Sequence, residues 1–229
     1  MALYAIGDLH LSLNTDKPMD KFGGGWINYL EKIETGFQKL NSEDICVLCG
    51  DISWGMSLEE SREDLLFIDK LPGTKIILKG NHDYWWNTAA KMNAFFEVNN
   101  ISTIKILHNN CFHYEGSAIC GTRGWLADDE QSSEQNGKIM AREVQRLTAS
   151  LLAAGDTDNK ICFLHYPPRF KNTVCHDIIT VMDKYGVVKC FYGHLHGEGH
   201  RHAVRGIVEG IEYEIVSADF VNFVPQRII

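Results

Sequence analysis

The sequence lacks the features that would indicate a membrane-spanning, fibrous or disordered protein. It contains no run of about 18 apolar residues, so it predicts no membrane-spanning helix. Its first residues, MALYAIGDLH, include no basic leader and no extended apolar segment, and we therefore expect no signal peptide. No repeat, low-complexity tract or Pro/Gly-rich linker divides the 229 residues. We expect a single domain over residues 1–229, a length that can bury a sizeable core without disulfides.

Positive charge is scarce relative to negative charge. The chain has 22 Lys and Arg residues against 30 Asp and Glu residues, which gives a formal net charge of −8. Without a run of basic residues, this balance argues against a nucleic-acid polymer or an anionic membrane as the main partner. Hydrophobic residues make up 45% and charged residues 23%, values typical of a globular protein. The sequence does not indicate an oligomeric state.

The cysteines show no pattern of disulfide bonds. Their number, 7, is odd, and most of them lie in apolar runs such as ICVLCG and KICFLH. This distribution is typical of reduced, buried thiols in a cytoplasmic protein. Cys46 and Cys49 form a C-x-x-C pair, but no second pair follows to complete a zinc site. We therefore predict that both thiols belong to the core rather than to a redox or metal site.

Short apolar runs alternate with amphipathic segments, which indicates an α/β protein. The runs that are apolar on both faces predict central strands of a covered sheet, at residues 2–7, 44–50, 74–80, 160–165 and 187–193. Five further strands are predicted at residues 103–107, 111–115, 117–121, 204–209 and 211–217. Helices are predicted at residues 26–40, 57–70, 139–154 and 173–185, the second with Ser57 and Glu60 as a capping box. Polar residues 128–137 predict an exposed connector, with a functional lid as the alternative.

Side chains that bind metals follow each of the five predicted central strands. The five strand ends read GDLH, GD, GNHD, LHY and GHLH, and their candidate ligands are Asp8, His10, Asp51, Asn81, His165, His194 and His196. Ligands of α/β sheets collect beyond the carboxyl ends of strands, so we expect these side chains to converge. A mixed oxygen and nitrogen donor set without thiolate favours Mn, Fe or Zn over Ca or Mg. Seven donors are too many for one ion and predict two divalent transition-metal ions that share a bridging carboxylate, with Mn favoured.

In this order, the motifs DLH, GD, GNHD, LHYPP and GHLH resemble those of the calcineurin-like metallophosphoesterase superfamily. The resemblance extends from residue 8 to residue 196, and LHYPP is similar to the prokaryotic phosphodiesterase-like branch. Protein serine/threonine phosphatases of the superfamily continue their second motif as G-D-x-x-D-R-G and carry G-N-H-E, whereas this chain reads GDISWG and GNHD. A phosphoprotein substrate is therefore not expected. The resemblance implies a four-layer α/β/β/α sandwich of two mixed sheets flanked by helices.

The same resemblance implies a role for each motif residue. Asp8, His10 and His196 would hold one ion, and Asn81, His165 and His194 would hold the other. Asp51 would bridge the two ions. His82 would not bind metal and would instead face the substrate as the catalytic histidine.

These roles predict hydrolysis of a small phosphomonoester or phosphodiester. A hydroxide that bridges the two ions would attack phosphorus, and His82 would protonate the leaving oxygen or stabilise the transition state. One alternative is an interaction scaffold that kept the fold with weak or no catalysis. A second alternative is a nuclease of the same superfamily, which the absence of a basic stripe disfavours.

Further residues near the motifs are candidates for supporting roles, and some of them allow two interpretations. Arg123, in GTRGW, is either a clamp on the substrate phosphate or a surface residue without a partner. Asp83 is expected to orient a histidine. His200 and His202 are expected to support the site without binding metal. Four tryptophans lie close to the motifs, namely Trp54, Trp85, Trp86 and Trp125. They either provide an aromatic wall for a ring of the substrate or pack beneath the loops.

Overall fold

Two large β-sheets with helices on their outer faces, and one small two-stranded sheet, make up the protein, seen in a computed structural model that describes residues 1–126 and 132–229. The strands are β1 (Leu3–Ile6), β2 (Ile45–Leu48), β3 (Thr74–Ile77), β4 (Ile104–Ile106), β5 (Phe112–Tyr114), β6 (Ser117–Thr122), β7 (Asn159–Leu164), β8 (Arg169–Phe170), β9 (Thr173–Val174), β10 (Val187–Tyr192), β11 (Gly206–Val208), β12 (Ile211–Ile215) and β13 (Gln226–Arg227). The helices are α1 (Tyr29–Phe37), α2 (Arg62–Lys70), α3 (Ala89–Val98), α4 (Ser133–Ala153) and α5 (His176–Lys184).

Both sheets have a parallel centre. The first sheet has the order β13-β1-β2-β3-β4, in which β1 to β4 run parallel and β13 is antiparallel. The second has the order β11-β12-β10-β7-β6-β5, in which only the edge strands β11 and β5 are antiparallel. Within each sheet the parallel strands point the same way, so the loops that follow them lie at one edge.

Alternation of side chains along the strands produces three separate hydrophobic clusters. In β2, Cys46 and Leu48 point to the cluster that contains α1, α2 and α3 residues. Val47 of the same strand points to a cluster between the two sheets. In β7, Phe163 joins this middle cluster, while Leu164 packs with residues of α4 and α5. The layers are therefore helices, sheet, sheet and helices, which confirms the α/β/β/α sandwich expected from the sequence.

Cys46 and Cys49 are core residues, as predicted. Both are fully buried, and they lie in different clusters on opposite faces of the first sheet. Burial raises the pKa of both thiols, which keeps them protonated. Two thiols on opposite faces of one sheet cannot share a metal ion or form a disulfide.

The ten predicted strands are present, with small differences at their ends. The structure adds β8, β9 and β13, which have two residues each and are too short to show an alternating pattern. It also adds α3, whose apolar residues do not form a clear stripe along the sequence. That helix begins after Thr88, whose hydroxyl accepts a hydrogen bond from the Lys91 amide, and it buries Met92 and Phe96.

The predicted start of the second helix is wrong. Half of the predicted capping box forms, since the Glu60 amide donates to the Ser57 hydroxyl, whereas the Glu60 carboxylate accepts from the Met56 amide rather than from that of Ser57. However, these bonds stabilise a turn, and α2 begins only at Arg62. Helices α1 and α5 are likewise shorter than predicted. Asn28, in the left-handed conformation, delays α1 to Tyr29.

The predicted connector at residues 128–137 is wrong for its second half. Residues 133–137 form the first turns of α4, because the Ser132 hydroxyl caps the helix by accepting a hydrogen bond from the Gln135 amide. Residues 128–131 lie outside the described residues.

Across residues 1–126 and 132–229, no helix combines the length and the apolar character needed to cross a membrane.

Candidate metal centre

The loops after five parallel strands carry the predicted ligands to one place. Four of these residues have a positive φ angle, namely Asp8, His10, Asp51 and His194. The backbone of a residue other than glycine is strained at a positive φ angle, and such strain is typical of functional sites. The loops therefore turn sharply at the residues whose side chains must point inward.

Glycines beside the ligands make this close approach feasible. A Cβ atom at Gly80 would lie 2.0 Å from the Asp51 Oδ1 atom. A Cβ atom at Gly193 would lie 2.4 Å from the Asp8 Oδ2 atom. The glycines of GNHD and GHLH thus leave the space that the two carboxylates occupy.

Asn81, His165 and His194 form the first group of candidate ligand atoms. The Asn81 Oδ1 atom lies 2.6 Å from the His165 Nε2 atom and 3.0 Å from the His194 Nδ1 atom. The two histidine nitrogens are 3.2 Å apart. The Nδ1–H group of His165 donates to the Cys49 carbonyl at 3.0 Å, which leaves the Nε2 lone pair facing the other two atoms.

Asp8, His10 and His196 form the second group. The His10 Nε2 atom lies 3.2 Å from the His196 Nε2 atom, which is 3.7 Å from the Asp8 Oδ1 atom. The Asp8 carboxylate is fully buried, and both of its oxygens accept a hydrogen bond from the His194 amide, at 3.0 and 2.9 Å. Asp8 thus links the two groups.

Asp51 lies between the two groups. Its Oδ2 atom is 3.7 Å from the His10 Nε2 atom and 3.6 Å from the His165 Nε2 atom. Its other oxygen accepts a hydrogen bond from the His82 amide at 2.8 Å. One oxygen is therefore held by the backbone while the other faces ligand atoms of both groups.

The chemistry of these donors fits divalent cations. Burial lowers the pKa of His165 to about 3 and that of His194 to about 2, so both rings are neutral near pH 7 and carry a free lone pair. Burial also raises the pKa of Asp8 to about 8. In the described part of the chain, neither Asp8 nor Asp51 has a Lys or Arg partner that would offset its charge. Cations between the groups would remove this cost.

The His82 ring lies beside the second group without joining it. Its centroid is 4.5 Å from that of Trp54 and 5.7 Å from that of His10. The ring makes no hydrogen bond with any residue that the structure describes, although its backbone amide donates to Asp51. His82 also lines a cavity of about 630 Å³ next to the ligand atoms. Its side chain is thus available to a molecule in that cavity.

Asp219, which none of the sequence motifs indicated, orients His196. The Nδ1–H group of His196 donates to the Asp219 Oδ1 atom at 2.9 Å. Burial lowers the pKa of His196, but its hydrogen bond to Asp219 and the nearby carboxylates outweigh this effect and raise the pKa to about 9. Asp219 follows β12, a parallel neighbour of β10, so a sixth strand end was the signal that could have identified it.

We predict that Asp219→Asn weakens metal binding at the His196 position by about 10–100-fold, because a carboxylate that orients a ligand histidine also increases its basicity. Metal titration of the variant would show one weakened site and one unchanged site. Asp177→Asn, on the exposed surface of α5, is the control. Unchanged affinity at both sites would show that Asp219 does not support metal binding.

Asp83 does not orient a histidine, contrary to the prediction. It is fully buried and accepts hydrogen bonds from the amides of Ile52, Ser53 and Gly80, and from the Trp85 indole. Its role is to join the loops after β2 and β3. Burial raises the pKa of this carboxyl to about 7.

His200 and His202 make different contacts. The His200 Nε2 atom donates to the Leu195 carbonyl at 3.0 Å and lies 3.4 Å from the Asp219 Oδ2 atom. His200 therefore supports the loop after β10, as predicted. His202 instead packs edge-on against Phe170, away from the metal ligands.

The four tryptophans divide among different environments. Only Trp54 lines the cavity beside the ligands, where it stacks on His10 with centroids 5.0 Å apart. Trp85 is a core residue, 1% exposed, and Trp86 lines another cavity. Trp125 packs against Tyr166. The second aromatic wall of the cavity is Trp26, which the sequence analysis did not consider.

Arg123 does not line the cavity that contains His82. Its guanidinium lies 3.5 Å from the Glu143 carboxylate and 5.1 Å from the centre of the Trp125 ring. The Arg123 carbonyl accepts hydrogen bonds from the amides of His165 and Tyr166. Arg123 therefore braces the loop after β7 through its backbone, and a contact with substrate phosphate stays a prediction.

A family model described as calcineurin-like phosphoesterase matches residues 1–198. This match includes every predicted metal ligand and His82. No curated protein gives a significant sequence match to the chain.

Solved structures with little sequence identity share the fold. The phosphopantetheinyl hydrolase PptH from Mycobacterium tuberculosis is 14% identical, with a TM-score of 0.58, and the alignment covers 100% of this chain and 95% of that chain. AQ665 from Aquifex aeolicus, a protein of unknown function, is 17% identical, with a TM-score of 0.50 and coverage of 99% and 95%. At these identities the similarity concerns the fold alone.

Proposed function

This chain belongs to the calcineurin-like phosphoesterase family of metal-dependent phosphoric ester hydrolases, and from that premise we propose that it hydrolyses a small phosphomonoester or phosphodiester at a centre of two metal ions. Asp8, His10 and His196 would hold one ion, and Asn81, His165 and His194 would hold the other. Asp51 would bridge them.

The observation that carries this proposal is the position of the Asp51 Oδ2 atom. It lies 3.7 Å from the His10 Nε2 atom and 3.6 Å from the His165 Nε2 atom, so it faces a ligand of each ion. A single ion would not need two histidine-rich groups on opposite sides of one carboxylate. The oxygen and nitrogen donor set favours Mn, with Fe or Zn as alternatives.

Two bound divalent ions would supply a strong nucleophile from water near neutral pH and Lewis-acid stabilisation of the phosphoryl oxygens. The residues of this chain contribute the positions. The hydrogen bond from the His82 amide fixes the Asp51 carboxylate, and Asp219 fixes the His196 ring. The free ring of His82 faces the cavity, where it can give a proton to the leaving oxygen.

The cavity beside the ligands supports a small substrate. Its volume of about 630 Å³ lies within the range of about 300–1,000 Å³ that small ligands occupy. Trp26, Trp54 and Phe22 line one part of it, and His10, His82 and His196 line another. This arrangement suits a phosphoester whose organic group is apolar or contains a ring.

We predict that the reconstituted protein holds close to two transition-metal ions per chain and that a chelator abolishes its phosphoesterase activity. Elemental analysis after loading with Mn²⁺, Fe²⁺ or Zn²⁺ gives the stoichiometry. Hydrolysis of p-nitrophenyl phosphate and bis-p-nitrophenyl phosphate gives the activity and the preference for monoester or diester. Restoration of activity by added Mn²⁺ is the control for damage by the chelator.

Different failures of this experiment have different meanings. One ion or none after reconstitution would contradict the binuclear centre. Two ions without turnover of any phosphoester would favour an interaction scaffold. A shift of single-stranded or duplex DNA at low salt, together with its cleavage, would favour a nuclease.

We also propose that the protein is cytoplasmic and acts without a nucleic-acid or membrane partner. All seven cysteines are free thiols. Free thiols in this number suit a reducing compartment. Localisation of the tagged protein by fractionation of cells tests this proposal.

A further inference from the structure

A second cavity lies beyond the carboxyl ends of β3, β4 and β6. Its volume is about 390 Å³, and its lining includes Lys79, His108, Arg123, Arg146 and Trp86. Neither His82 nor any of the seven predicted metal ligands lines this cavity. It is therefore separate from the cavity of the metal centre, and the proposed hydrolysis does not use it.

Positive charge exceeds negative charge around this cavity. Lys79, Arg123 and Arg146 contribute three cationic groups, whereas burial lowers the pKa of His108, which leaves that ring neutral near pH 7. Glu143 contacts two of these cations, and its carboxylate lies 3.5 Å from the Arg123 guanidinium and 2.6 Å from that of Arg146. Glu143 is thus paired with two of the three cations, in a protein whose overall charge is −8.

Glu143 cannot satisfy all the donors of this cluster. Its other oxygen already accepts a hydrogen bond from the Thr122 hydroxyl at 2.7 Å. The Nε–H group of Arg123 is buried and has no hydrogen-bond partner in residues 1–126 and 132–229. Lys79 makes no hydrogen bond or ion pair with any residue that the structure describes. The cluster therefore retains cationic donors that lack an acceptor.

A neutral donor adds to this pattern. The indole N–H of Trp86 is buried and also lacks a hydrogen-bond partner in the part of the chain that the structure describes. Unpaired buried donors are costly, typically about 1–3 kcal/mol each, so native structures rarely contain two around one cavity without a ligand or water to accept them. Thr88, the N-cap of the ten-residue helix α3, lines the same cavity and adds the positive end of that helix.

We propose that this cavity binds a small oxyanion, a phosphate or a carboxylate group, through Lys79, Arg123, Arg146 and the Trp86 indole. The shared chemistry is an anionic group with several acceptor oxygens. Each of these four residues would donate a hydrogen bond to the oxygens of the anion. Arg123 then belongs to a second anion site rather than to the metal centre.

Tryptophan signals allow a direct test, because Trp26 and Trp54 line the cavity of the metal centre, whereas Trp86 lines the second cavity. Zn²⁺-loaded protein labelled with ¹⁵N is diamagnetic and gives one indole N–H signal for each tryptophan. Trp86→Phe identifies the Trp86 signal by its loss. Inorganic phosphate, sulfate and succinate are added in separate titrations at constant ionic strength, with chloride as the reference salt.

We expect the chemical shift of the Trp86 indole signal to change with added phosphate or succinate and to reach a plateau. The dissociation constants from the two titrations show whether the tetrahedral or the planar anion binds more tightly. Lys79→Met and Arg146→Met should each weaken binding about tenfold, the usual effect of losing one charge-assisted hydrogen bond. Lys70→Met, at the exposed end of α2, should leave the affinity unchanged.

Three results would overturn the proposal. The first is a response to phosphate of the Trp26 and Trp54 signals alone, which would mean that anions bind only at the metal centre. The second is a Trp86 shift that chloride reproduces or that does not saturate. The third is unchanged affinity in both Lys79→Met and Arg146→Met. Because metal content and turnover are measured separately, failure here would leave the proposed hydrolysis intact.

Discussion

Asp51→Asn is expected to lose at least one metal ion and to lower turnover by about 10²–10⁴-fold. The substitution keeps the shape of the side chain but removes its negative charge. One oxygen of Asp51 faces His10 and His165, which belong to different ligand groups. The change therefore weakens both proposed metal positions at once, whereas a change at any other ligand weakens one position directly.

Asp44→Asn is a matched control for this experiment. Asp44 is also buried and lies just before β2, whereas Asp51 follows the same strand. Its carboxylate accepts hydrogen bonds from the amides of Ala2 and Asn41, so its loss should lower the free energy of unfolding without changing the metal content. Two ions and near wild-type turnover in Asp51→Asn would show that the bridge is elsewhere.

His82→Ala is expected to keep both metal ions and to lose turnover in a way that depends on the leaving group. A positioned acid accelerates proton transfer by about 10²–10⁴-fold. An alkoxide needs this proton, whereas p-nitrophenolate is a stable anion that leaves without it. Turnover of an alkyl phosphate should therefore fall much further than turnover of p-nitrophenyl phosphate.

The comparison of substrates separates the proposed role of His82 from two others. Equal large losses on both substrates, with metals retained, would indicate that His82 stabilises the phosphoryl oxygens instead. Loss of metal would indicate a ligand or a support for Asp51, whose carboxylate accepts a hydrogen bond from the His82 amide. His113→Ala, on the exposed edge strand β5, controls for the removal of a histidine as such.

The residue pattern was sufficient to predict the central strands and the place of the candidate site, whereas the sandwich was implied by the resemblance to a known family. Central parallel strands need apolar residues on both faces, and this produces runs that are visible without a structure. Their carboxyl ends meet at one edge of the sheet, so residues far apart in sequence, such as Asp8 and His194, were expected to lie together. The glycines at positions 80 and 193 were part of this pattern because the carboxylates leave no room for a Cβ atom.

Boundaries of the helices were less predictable, because they depend on contacts that periodicity does not contain. Asn28 delays α1 by its left-handed backbone, and Ser132 starts α4 inside a segment that was predicted as a connector. Helix α3 is stabilised by the burial of Met92 and Phe96 against distant residues rather than by a regular apolar stripe.

Only the tertiary structure decided which polar residues share a cavity. The sequence determined that Asp83, Arg123 and Trp86 lie near motifs, but the direction of each side chain depends on how its loop packs. Asp83 points into the loops, and Arg123 and Trp86 point into a cavity away from the ligands. Asp219 reaches His196 because the turn after β12 pairs with Gly7, a contact between distant segments. The sequence predicts strand ends because they depend on the local pattern of apolar and polar residues. It does not predict the partners of loop side chains, because those depend on packing between distant segments.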